Sequence, residues 1–467
     1  MEQKYKNLAK DTLVFSIGKF GSRLVLFFLV PLYTNYLTKD QYGTADLVFT
    51  ISQLLTPLFS VVIFDSVIRF GLVKGIKKEN VLYNAFLVLA VCVVLSVLST
   101  PLFRFYRGVS DWRGYLPLLI VSATAMDIEM NYLKVIGKNL AYSFISIIQA
   151  VVLAGSNIIC LVFLKMGVDG YLLSTSLSYF SGVLLAFFVG RLYREIRNAS
   201  FDKKLLRQMM LFSAPLILNN ISWWVIQSSD KLMLEMIISA SALGLYTAAT
   251  KIPSLINVVI SIFQQAWGIS SIKEIESTND TSFYSSVFKF FSTAIWTCCI
   301  LLNCIIKPFM FFYVGAEFRT AWRFAPLLIA SAGFSGISSF FGAMNSALKK
   351  SINNMITSVV AAIVNILVNL IMIHFVGIWG AIIGTIISYV LVAYLRIYYC
   401  LGIIKIDLGL RKFFLNSIYI LIQAILISVG VNAIAVSLAV VVLFGVTNYQ
   451  VIYSFLLKLK RRKNSQI

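Results

Sequence analysis

Three basic side chains lie deep inside strongly apolar stretches of this 467-residue sequence. Lys19 and Arg23 are four residues apart, so on a helix that begins near Asp11 both lie on one face. At 1.5 Å per residue they would sit roughly 12 and 18 Å from that end, too deep for Arg23 to reach water easily. Lys251 would lie about 13 Å into a later apolar helix. Because a Lys or Arg at the centre of a membrane helix costs about 2.5–3.5 kcal/mol on insertion scales, such residues persist for a reason.

These cations favour a cavity that receives an anion. In a low dielectric, Lys and Arg side chains suit a phosphate or pyrophosphate group. Outward movement of an anion from a negative cytoplasm is favourable by ~2.3 kcal/mol per charge per 100 mV. Arg69 is a weaker fourth member of the set, because it could instead pair with Asp65 or extend to the membrane surface. The alternative for the three deep cations is an ion pair between helices, with one of three acidic residues as the partner: Asp127, Glu129 or Asp230.

Acidic residues inside apolar runs could line a cavity or bind a coupling ion, either H⁺ or Na⁺. Four are candidates: Asp65, Asp127, Glu129 and Asp230. Asp127 shares a helical face with Lys134, and Asp230 precedes Lys231, so ion pairing is the competing interpretation for both. The residue types alone do not decide between these roles.

Aromatic and amide side chains could contact sugar rings by stacking or hydrogen bonding. The candidates are Trp223, Trp224, Gln264 and Trp267. Ordinary packing, or a belt at the membrane interface, explains the same residues equally well. The sequence shows no nucleotide-binding loop, no zinc motif and no nucleophile–base arrangement. We therefore expect no catalytic residue, no metal and no cofactor, and a protein that is not an enzyme.

Apolar helices must position all of these residues. The chain is 59% hydrophobic and 13% charged, whereas soluble domains carry roughly 25% charged residues. About 20 apolar residues span a bilayer as a helix, and fourteen runs approach or exceed that length. They are about 11–36, 43–72, 82–104, 114–136, 140–164, 169–190, 206–229, 242–270, 285–306, 322–346, 354–375, 378–399, 413–430 and 433–456. The last two are separated only by a weak turn at 430–432, so twelve or thirteen spans stay open as alternatives.

The net charge of +21 could suggest a nucleic-acid partner. The basic residues cluster instead in short links between alternate apolar runs, as they do on the cytoplasmic side of membrane proteins. The clearest examples are Arg191–Arg207 and Lys458–Lys463. We expect anionic lipid headgroups, and no nucleic acid, as partners of this charge. The pattern predicts an even number of spans with both termini in the cytoplasm.

A faint internal repeat divides the chain. Asp40–Asp46 opens the second predicted helix and Ala242–Ala248 opens the eighth. Helices 1–6 and 7–12 would then be related units in the same orientation, which implies a pseudo-two-fold axis along the membrane normal. We predict an N-terminal lobe at 1–200, a C-terminal lobe at 201–405, and two extra helices with a basic cytoplasmic tail at 406–467.

Taken together, the chain resembles the polysaccharide-export, or oligosaccharide flippase (Wzx-type), family of the multidrug/oligosaccharidyl-lipid/polysaccharide (MOP) superfamily. The resemblance covers nearly the whole chain. The segments that carry it are the basic stretch Lys4–Lys10 before Lys19 and Arg23, then Leu37–Gly43, Phe212–Leu216, Ser229–Lys231 and Leu243–Tyr246. The basic tail also fits the family.

The resemblance implies an all-α polytopic membrane protein, with two six-helix lobes forming a V around a cationic cavity and two further C-terminal helices. It implies alternating access for a polyprenyl (undecaprenyl)-pyrophosphate-linked oligosaccharide. The cargo would be flipped to the outer leaflet of the bacterial cytoplasmic membrane for O-antigen or capsule synthesis. A polymerase and glycosyltransferases of the same pathway would be partners. The residues that would hold the pyrophosphate are Lys19, Arg23, Lys251 and, more weakly, Arg69.

Two other functions stay open. A drug or cation antiporter of the same superfamily is disfavoured by the cationic first helix and by fourteen rather than twelve predicted spans. A membrane polysaccharide polymerase or glycosyltransferase is disfavoured because no link between apolar runs is long enough to form a folded domain. The sequence does not identify the sugar repeat, the coupling ion or the oligomeric state.

Overall fold

The computed structural model describes residues 25–277, 281–348 and 350–464, and every regular element in these ranges is helical. The helices are α1 (Val25–Tyr36), α2 (Lys39–Phe59), α3 (Ile63–Gly71), α4 (Lys78–Ser99), α5 (Tyr115–Val135), α6 (Asn139–Asn157), α7 (Gly167–Val189), α8 (Leu192–Arg197), α9 (Lys203–Ile237), α10 (Ala240–Thr250), α11 (Pro253–Ser277), α12 (Thr281–Tyr313), α13 (Ala325–Ala347), α14 (Ser351–Val376), α15 (Ile378–Leu401), α16 (Leu410–Val429) and α17 (Ala433–Asn464). Short 3₁₀ segments occupy Thr100–Phe105, Ser110–Trp112 and Ala316–Arg323.

Length and composition make this a multi-pass membrane protein. Ten of the described helices are long and apolar enough to cross a membrane, or up to twelve if each of two bent pairs forms one span. The prediction of an all-α polytopic fold is therefore confirmed, while the total of fourteen is not. Two of the predicted runs are not among the spans counted. The run 11–36 lies partly outside the described residues. The run 114–136 corresponds to α5, which carries three charged side chains: Asp127, Glu129 and Lys134.

Two predicted runs, 43–72 and 242–270, are not continuous helices. Helices α2 and α3 meet at 51°, and α10 and α11 meet at 44°. The second bend precedes Pro253, whose fixed φ and missing N–H suit the first turn of a new helix. The first bend has no such signal. There Val61 and Val62 both adopt left-handed φ angles, of 51° and 54°.

The described residues pack as two compact units that divide between Thr247 and Ala248. The lobe boundaries predicted near residues 200 and 405 stay predictions. In the first unit, α5 packs against α2, α3, α4, α6 and α7. The apolar core formed there includes Leu82, Ile128 and Leu133, each fully buried.

Helix ends of the first unit meet at one strongly basic face. Lys78 Nζ donates to the carbonyl of Val135 at the end of α5 (3.1 Å), and Lys138 Nζ donates to the carbonyl of Gly190 after α7 (2.7 Å). These lysines satisfy carbonyls that a helix end leaves open. We call this face the basic end; its links also carry Lys74, Lys77, Arg191, Arg194, Arg197, Lys203 and Lys204.

In the second unit, one buried arginine ties three helices together. Arg396 of α15 is 3% exposed. Its guanidinium donates to Ser338 of α13, through both the hydroxyl (3.1 Å) and the carbonyl (3.0 Å), and to the Ser358 hydroxyl of α14 (3.1 Å). Gly342 makes room for it, because a Cβ there would lie 2.7 Å from Nη1.

The predicted turn at 430–432 is confirmed. Gly430, with a φ of 104°, ends α16. Asn432 Oδ1 accepts the backbone N–H of Ile434 at 3.0 Å and caps the start of α17. A left-handed glycine followed by an asparagine cap is a strong local signal for two separate helices. Both helices pack against α12.

Arg396→Ala is expected to destabilise the second unit. The change leaves buried hydroxyl and carbonyl groups without their charged donor, at a cost of at least about 3 kcal/mol. The thermal unfolding midpoint of the detergent-purified protein should fall by several degrees. Arg411→Ala, at an exposed position on α16, is the control and should leave the midpoint unchanged. Equal midpoints for the two variants would contradict the anchoring role.

Candidate functional site

The glycines of the two repeat segments meet where α2 crosses α10 in the first unit. A Cβ at Gly43 would lie 1.9 Å from the carbonyl oxygen of Ala240, and one at Gly244 would lie 2.1 Å from that of Lys39. Each glycine therefore faces the residue four positions before the other. Reciprocal contacts of this kind are what a two-fold relation produces. Close backbone approach through small residues is a common way for membrane helices to pack.

A buried ion pair lies one helical turn beyond this crossing. Lys231 Nζ on α9 lies 2.8 Å from Asp46 Oδ2 on α2, and the Asp46 side chain is 2% exposed. The Thr247 hydroxyl donates to the same oxygen at 3.0 Å. Because Asp46 and Thr247 each follow a repeat glycine by three residues, the local symmetry extends to this hydrogen bond.

A second carboxylate, Asp230, lies beside the first. One of its oxygens accepts a hydrogen bond from the Tyr246 hydroxyl, and the other accepts the backbone N–H of Lys231 at 2.9 Å. Trp224 Nε1 donates to the carbonyl of Thr50 at 3.1 Å, which adds another link between α9 and α2. We call this set of residues the junction: Gly43, Asp46, Asp230, Lys231, Gly244, Tyr246 and Thr247.

The junction lies at the end of the first unit opposite the basic end, because α9 starts at one and finishes at the other. Near it, Glu235 accepts a hydrogen bond from the hydroxyl of Tyr106, in the link after α4. Burial, reinforced by the Glu235 carboxylate, raises the pKa of Tyr106, so its hydroxyl stays a donor. Gly108 leaves room for that carboxylate, since a Cβ there would lie 2.4 Å from Glu235 Oε1.

A second polar region surrounds the bend between α2 and α3. Two consecutive left-handed β-branched residues, Val61 and Val62, mark it as a strained backbone. Ser213 of α9 donates to the carbonyl of Val62 (3.2 Å), and Asn131 of α5 donates to that of Phe64 (2.9 Å). Side chains of other helices thus add hydrogen bonds at the bend, beside the one that the Val62 carbonyl accepts from the Asp65 N–H at 3.1 Å. Broken helices often mark substrate or ion sites in transporters.

The predicted acidic residues are distributed over separate places. Asp127 interacts electrostatically with Asp65 and Lys134. Glu129 points about 200° away around the same helix. It is 1% exposed, and its Oε2 has no hydrogen-bond partner among the described residues. Asp230 belongs to the junction. The structure therefore groups only Asp65 and Asp127, and their roles in a cavity or in ion coupling stay predictions.

The predicted cations are likewise spread out. Lys19 and Arg23 lie outside the described residues. Arg69 is exposed on the last turn of α3 and forms no ion pair within the described ranges, so the alternative pairing with Asp65 is not made. Lys251 is half-buried at the bend between α10 and α11. Binding of an anion by these residues stays a prediction.

The residues proposed to contact sugar lie on two helices. Trp223 and Trp224 are half-buried on α9, and Gln264 is half-buried on α11. Trp267 is 2% exposed, donates from Nε1 to the carbonyl of Phe340 (3.1 Å) and stacks on that ring at 4.4 Å. Its surroundings are those of a packed aromatic core, and sugar contact stays a prediction for all four.

Three junction residues are missing from the predicted site: Asp46, Tyr246 and Thr247. The first repeat segment contains Asp46, and the second contains Tyr246 and Thr247. Nothing in their types distinguishes them from other polar residues of an apolar run. The usable signal was the register of the repeat, since aligning Gly43 with Gly244 places Asp46 opposite Thr247.

The sequence profile of a family described as "Polysaccharide biosynthesis protein" matches residues 8–268. Two proteins of Haemophilus influenzae are similar at low identity. One is a protein of the Lsg locus, 20% identical over 260 residues, and the other is an uncharacterized membrane protein, 22% identical over 269 residues. The matches cover 55% and 56% of this chain and 64% of each relative, so the chain spans less than two thirds of their length.

The fold is similar to solved structures of membrane transporters. The lipid II flippase MurJ, in an inward closed conformation, aligns over 94% of this chain and 100% of that chain, with a TM-score of 0.70 and 14% identity. An outward-facing multidrug resistance MATE family transporter of the MOP superfamily aligns over 83% and 93%, with a TM-score of 0.62 and 14% identity. Identities this low show a shared fold and leave the cargo undetermined.

Gly43→Ala and Gly244→Ala are each expected to disrupt the junction. A methyl group at either position would collide with a backbone carbonyl, and overpacking of this kind costs about 1–3 kcal/mol. The thermal unfolding midpoint of the purified protein should fall for both variants. Gly155→Ala on α6, where a Cβ would meet nothing within 4 Å, is the matched control. If all three variants unfold at the same temperature, the close approach is wrong.

Lys231→Ala should destabilise the protein strongly, because it removes the ammonium group that pairs with the buried Asp46 carboxylate. Breaking a buried pair in this way costs about 3–5 kcal/mol. Lys289→Ala is the control: its pair with Asp407 has side chains 37% and 75% exposed, and such pairs contribute about 0–1 kcal/mol. Adding Asp46→Asn to Lys231→Ala should recover part of the loss. The thermal unfolding midpoint is measured for the unmodified protein, the two single variants and the double variant. Equal losses in Lys231→Ala and Lys289→Ala would count against a buried pair.

Proposed function

Because the chain belongs to the polysaccharide biosynthesis protein family, we propose that it is a flippase for lipid-linked oligosaccharides. It moves polyprenyl-pyrophosphate-linked repeat units from the inner to the outer leaflet of the bacterial cytoplasmic membrane, for O-antigen or capsule synthesis. It works by alternating access and catalyses no covalent reaction. Both termini lie in the cytoplasm, so the basic end of the first unit faces inward.

The junction is the observation that carries this proposal. Helices α2 and α10 approach backbone to backbone at Gly43 and Gly244, and the Asp46–Lys231 pair joins α2 to α9. No sugar ring can pass between helices in that contact. With the basic end inward, the junction is a closed outer gate, which a flippase requires while its cargo is loaded from the cytoplasm.

The chemistry of the junction suits a gate that reopens. In the closed state, a dry environment makes separation of Asp46 from Lys231 costly. Water that enters as the helices part would solvate both charges and reduce their attraction. The glycine contact, by contrast, holds only through close packing. A gate built from one packing contact and one ion pair therefore has a closed state without water between the helices and an open state in which water solvates the two charges.

The negatively charged headgroup of the cargo explains the predicted cationic residues outside the junction. A pyrophosphate requires cations in a low dielectric, and Lys19, Arg23, Lys251 and Arg69 are assigned that role. Contact with the sugar rings is assigned to three half-buried side chains: Trp223, Trp224 and Gln264. Trp267, predicted with them, is packed in an aromatic core and is left out of this role. Flipping of the cargo is coupled to an H⁺ or Na⁺ gradient. The carboxylates that could bind the coupling ion are Asp65, Asp127, Glu129 and Asp230.

A cation or drug antiporter of the same superfamily is the second candidate, and one observation favours it. Asp65 and Asp127 place two interacting carboxylates beside the broken helix of the first unit. Carboxylates suit a cationic cargo for the same electrostatic reason that lysines suit an anionic one.

Proteoliposomes containing the purified protein distinguish the two candidates. A flippase should expose a fluorescent polyprenyl-pyrophosphate oligosaccharide to an external quencher, with ordinary phospholipids moving no faster than in empty liposomes. Imposing a proton or a sodium gradient separately would identify the coupling ion. Gradient-coupled efflux of a cationic dye, with no movement of the lipid-linked sugar, would overturn the flippase proposal.

Arg23→Ala and Lys251→Ala should each reduce flipping at least about tenfold, since a charge-assisted hydrogen bond contributes about 1.5–3 kcal/mol. Both variants should still insert in the membrane and purify as a single species. Lys289→Ala removes an exposed cation and should flip at the normal rate. Normal flipping in both test variants would refute the assigned headgroup contacts while leaving the flippase proposal itself intact.

A further inference from the structure

A cavity of about 330 Å³ opens at the basic end of the first unit. It lies between the link that joins α3 to α4 and the link that joins α8 to α9. Its lining includes two lysines, Lys77 and Lys204, and two amide side chains, Asn80 and Gln208. All four can donate hydrogen bonds. The lining thus presents an excess of donors and positive charge.

Two helix N-termini converge on this cavity. Helix α4 begins at Lys78 with no side-chain cap from Lys77. The N–H of Asn80 bonds the Lys77 carbonyl at 3.2 Å, so the first two amide groups of α4 are the ones open to a ligand. Helix α9 begins at Lys203 and is capped by Asp202, whose Oδ1 accepts the N–H of Leu205 at 2.9 Å. The amide dipoles of both helices add positive potential at this point.

Buried amide side chains hold the cavity in shape. Asn80 is 8% exposed, and its Oδ1 accepts the backbone N–H of Ser200 at 2.9 Å. One turn along α4, Asn84 donates to the carbonyl of Asp202 at 3.0 Å. These hydrogen bonds do not use the Nδ2 donor of Asn80. Because Asn80 lines the cavity, this donor is available to a ligand there.

The charge balance favours an anion. Asp202 is the one carboxylate of the lining, and its Oδ1 is already engaged in capping α9. Glu79, in the first turn of α4, lies outside the lining. Within the lining, two lysines, Lys77 and Lys204, therefore stand against one carboxylate.

Exposed apolar residues border the same two links. Leu72 is 64% exposed and Val73 is 42% exposed before α4, and Phe201 is 55% exposed before α9. Apolar side chains next to lysines are typical of the boundary between headgroups and acyl chains. The two links that border the cavity therefore have the apolar and basic composition of a membrane surface.

We propose that this cavity binds the phosphate headgroup of an anionic phospholipid, which bridges the α3–α4 and α8–α9 links. The phosphate would receive hydrogen bonds from Lys77, Lys204 and Asn80, and the acyl chains would lie against Leu72 and Phe201. The site is separate from the described residues assigned to the cargo headgroup, since neither Arg69 nor Lys251 lines the cavity.

The test measures phosphatidylglycerol bound to the purified full-length protein, by native mass spectrometry and by titration in detergent. Lys77→Gln/Lys204→Gln should weaken binding about tenfold or more, since each basic residue near the headgroups contributes roughly fivefold. Lys74→Gln/Lys203→Gln removes the same charge from neighbouring positions outside the lining and should weaken binding clearly less than Lys77→Gln/Lys204→Gln does. Phosphatidylcholine should bind much more weakly than phosphatidylglycerol.

Several results would overturn the proposal. Equal losses in the two double variants would reduce it to diffuse attraction, and equal binding of phosphatidylcholine would remove the need for net charge. Displacement by millimolar inorganic phosphate would identify a site for the free ion. Displacement by equimolar polyprenyl pyrophosphate, with no return of phosphatidylglycerol at tenfold excess, would assign the cavity to cargo. Because flipping is measured separately, failure here leaves the proposed function untouched.

Discussion

The interior of a bilayer contains no water, so each backbone group and each charge within it must find its partner in the protein. Continuous helices meet that requirement for most of this chain. At the α2–α3 bend, side chains of other helices add to the bonds of the backbone itself. Ser213 donates to the Val62 carbonyl, which also accepts the Asp65 N–H, and Asn131 donates to the Phe64 carbonyl. Polar side chains of α9 and α5 thus support a strained backbone in the apolar interior.

The same requirement explains the junction. Asp46 can be buried because Lys231 and Thr247 supply a charge and a hydrogen bond. Those partners reach it only because Gly43 and Gly244 let α2 and α10 approach without intervening side chains. Packing and electrostatics therefore support each other at this position. Losing either the small residues or the ion pair removes the condition on which the other depends.

The two ends of the first unit consequently have different physical characters. At one end, Asp46 and Lys231 form a buried ion pair, and the helices are tightly closed. At the other, lysines outnumber carboxylates, helix N-termini converge and a cavity stays open. An end that is paired and dry suits closure, whereas an end that is cationic and open suits anionic headgroups. This difference gives the unit a direction, which transport of a charged lipid across a membrane requires.

Local properties of the chain were sufficient to predict the fold class, most helix positions and the turn at 430–432. Apolar runs, basic links, and a glycine followed by an asparagine act over a few residues, so they can be read without knowing the fold. Pro253 also signalled the second bend, although run 242–270 was predicted as continuous. Tertiary structure alone decided the rest. Asp46 and Lys231 are 185 residues apart, and Val61 and Val62 have no local reason to be left-handed. Each depends on which distant helix lies alongside, and residue type alone does not carry that information.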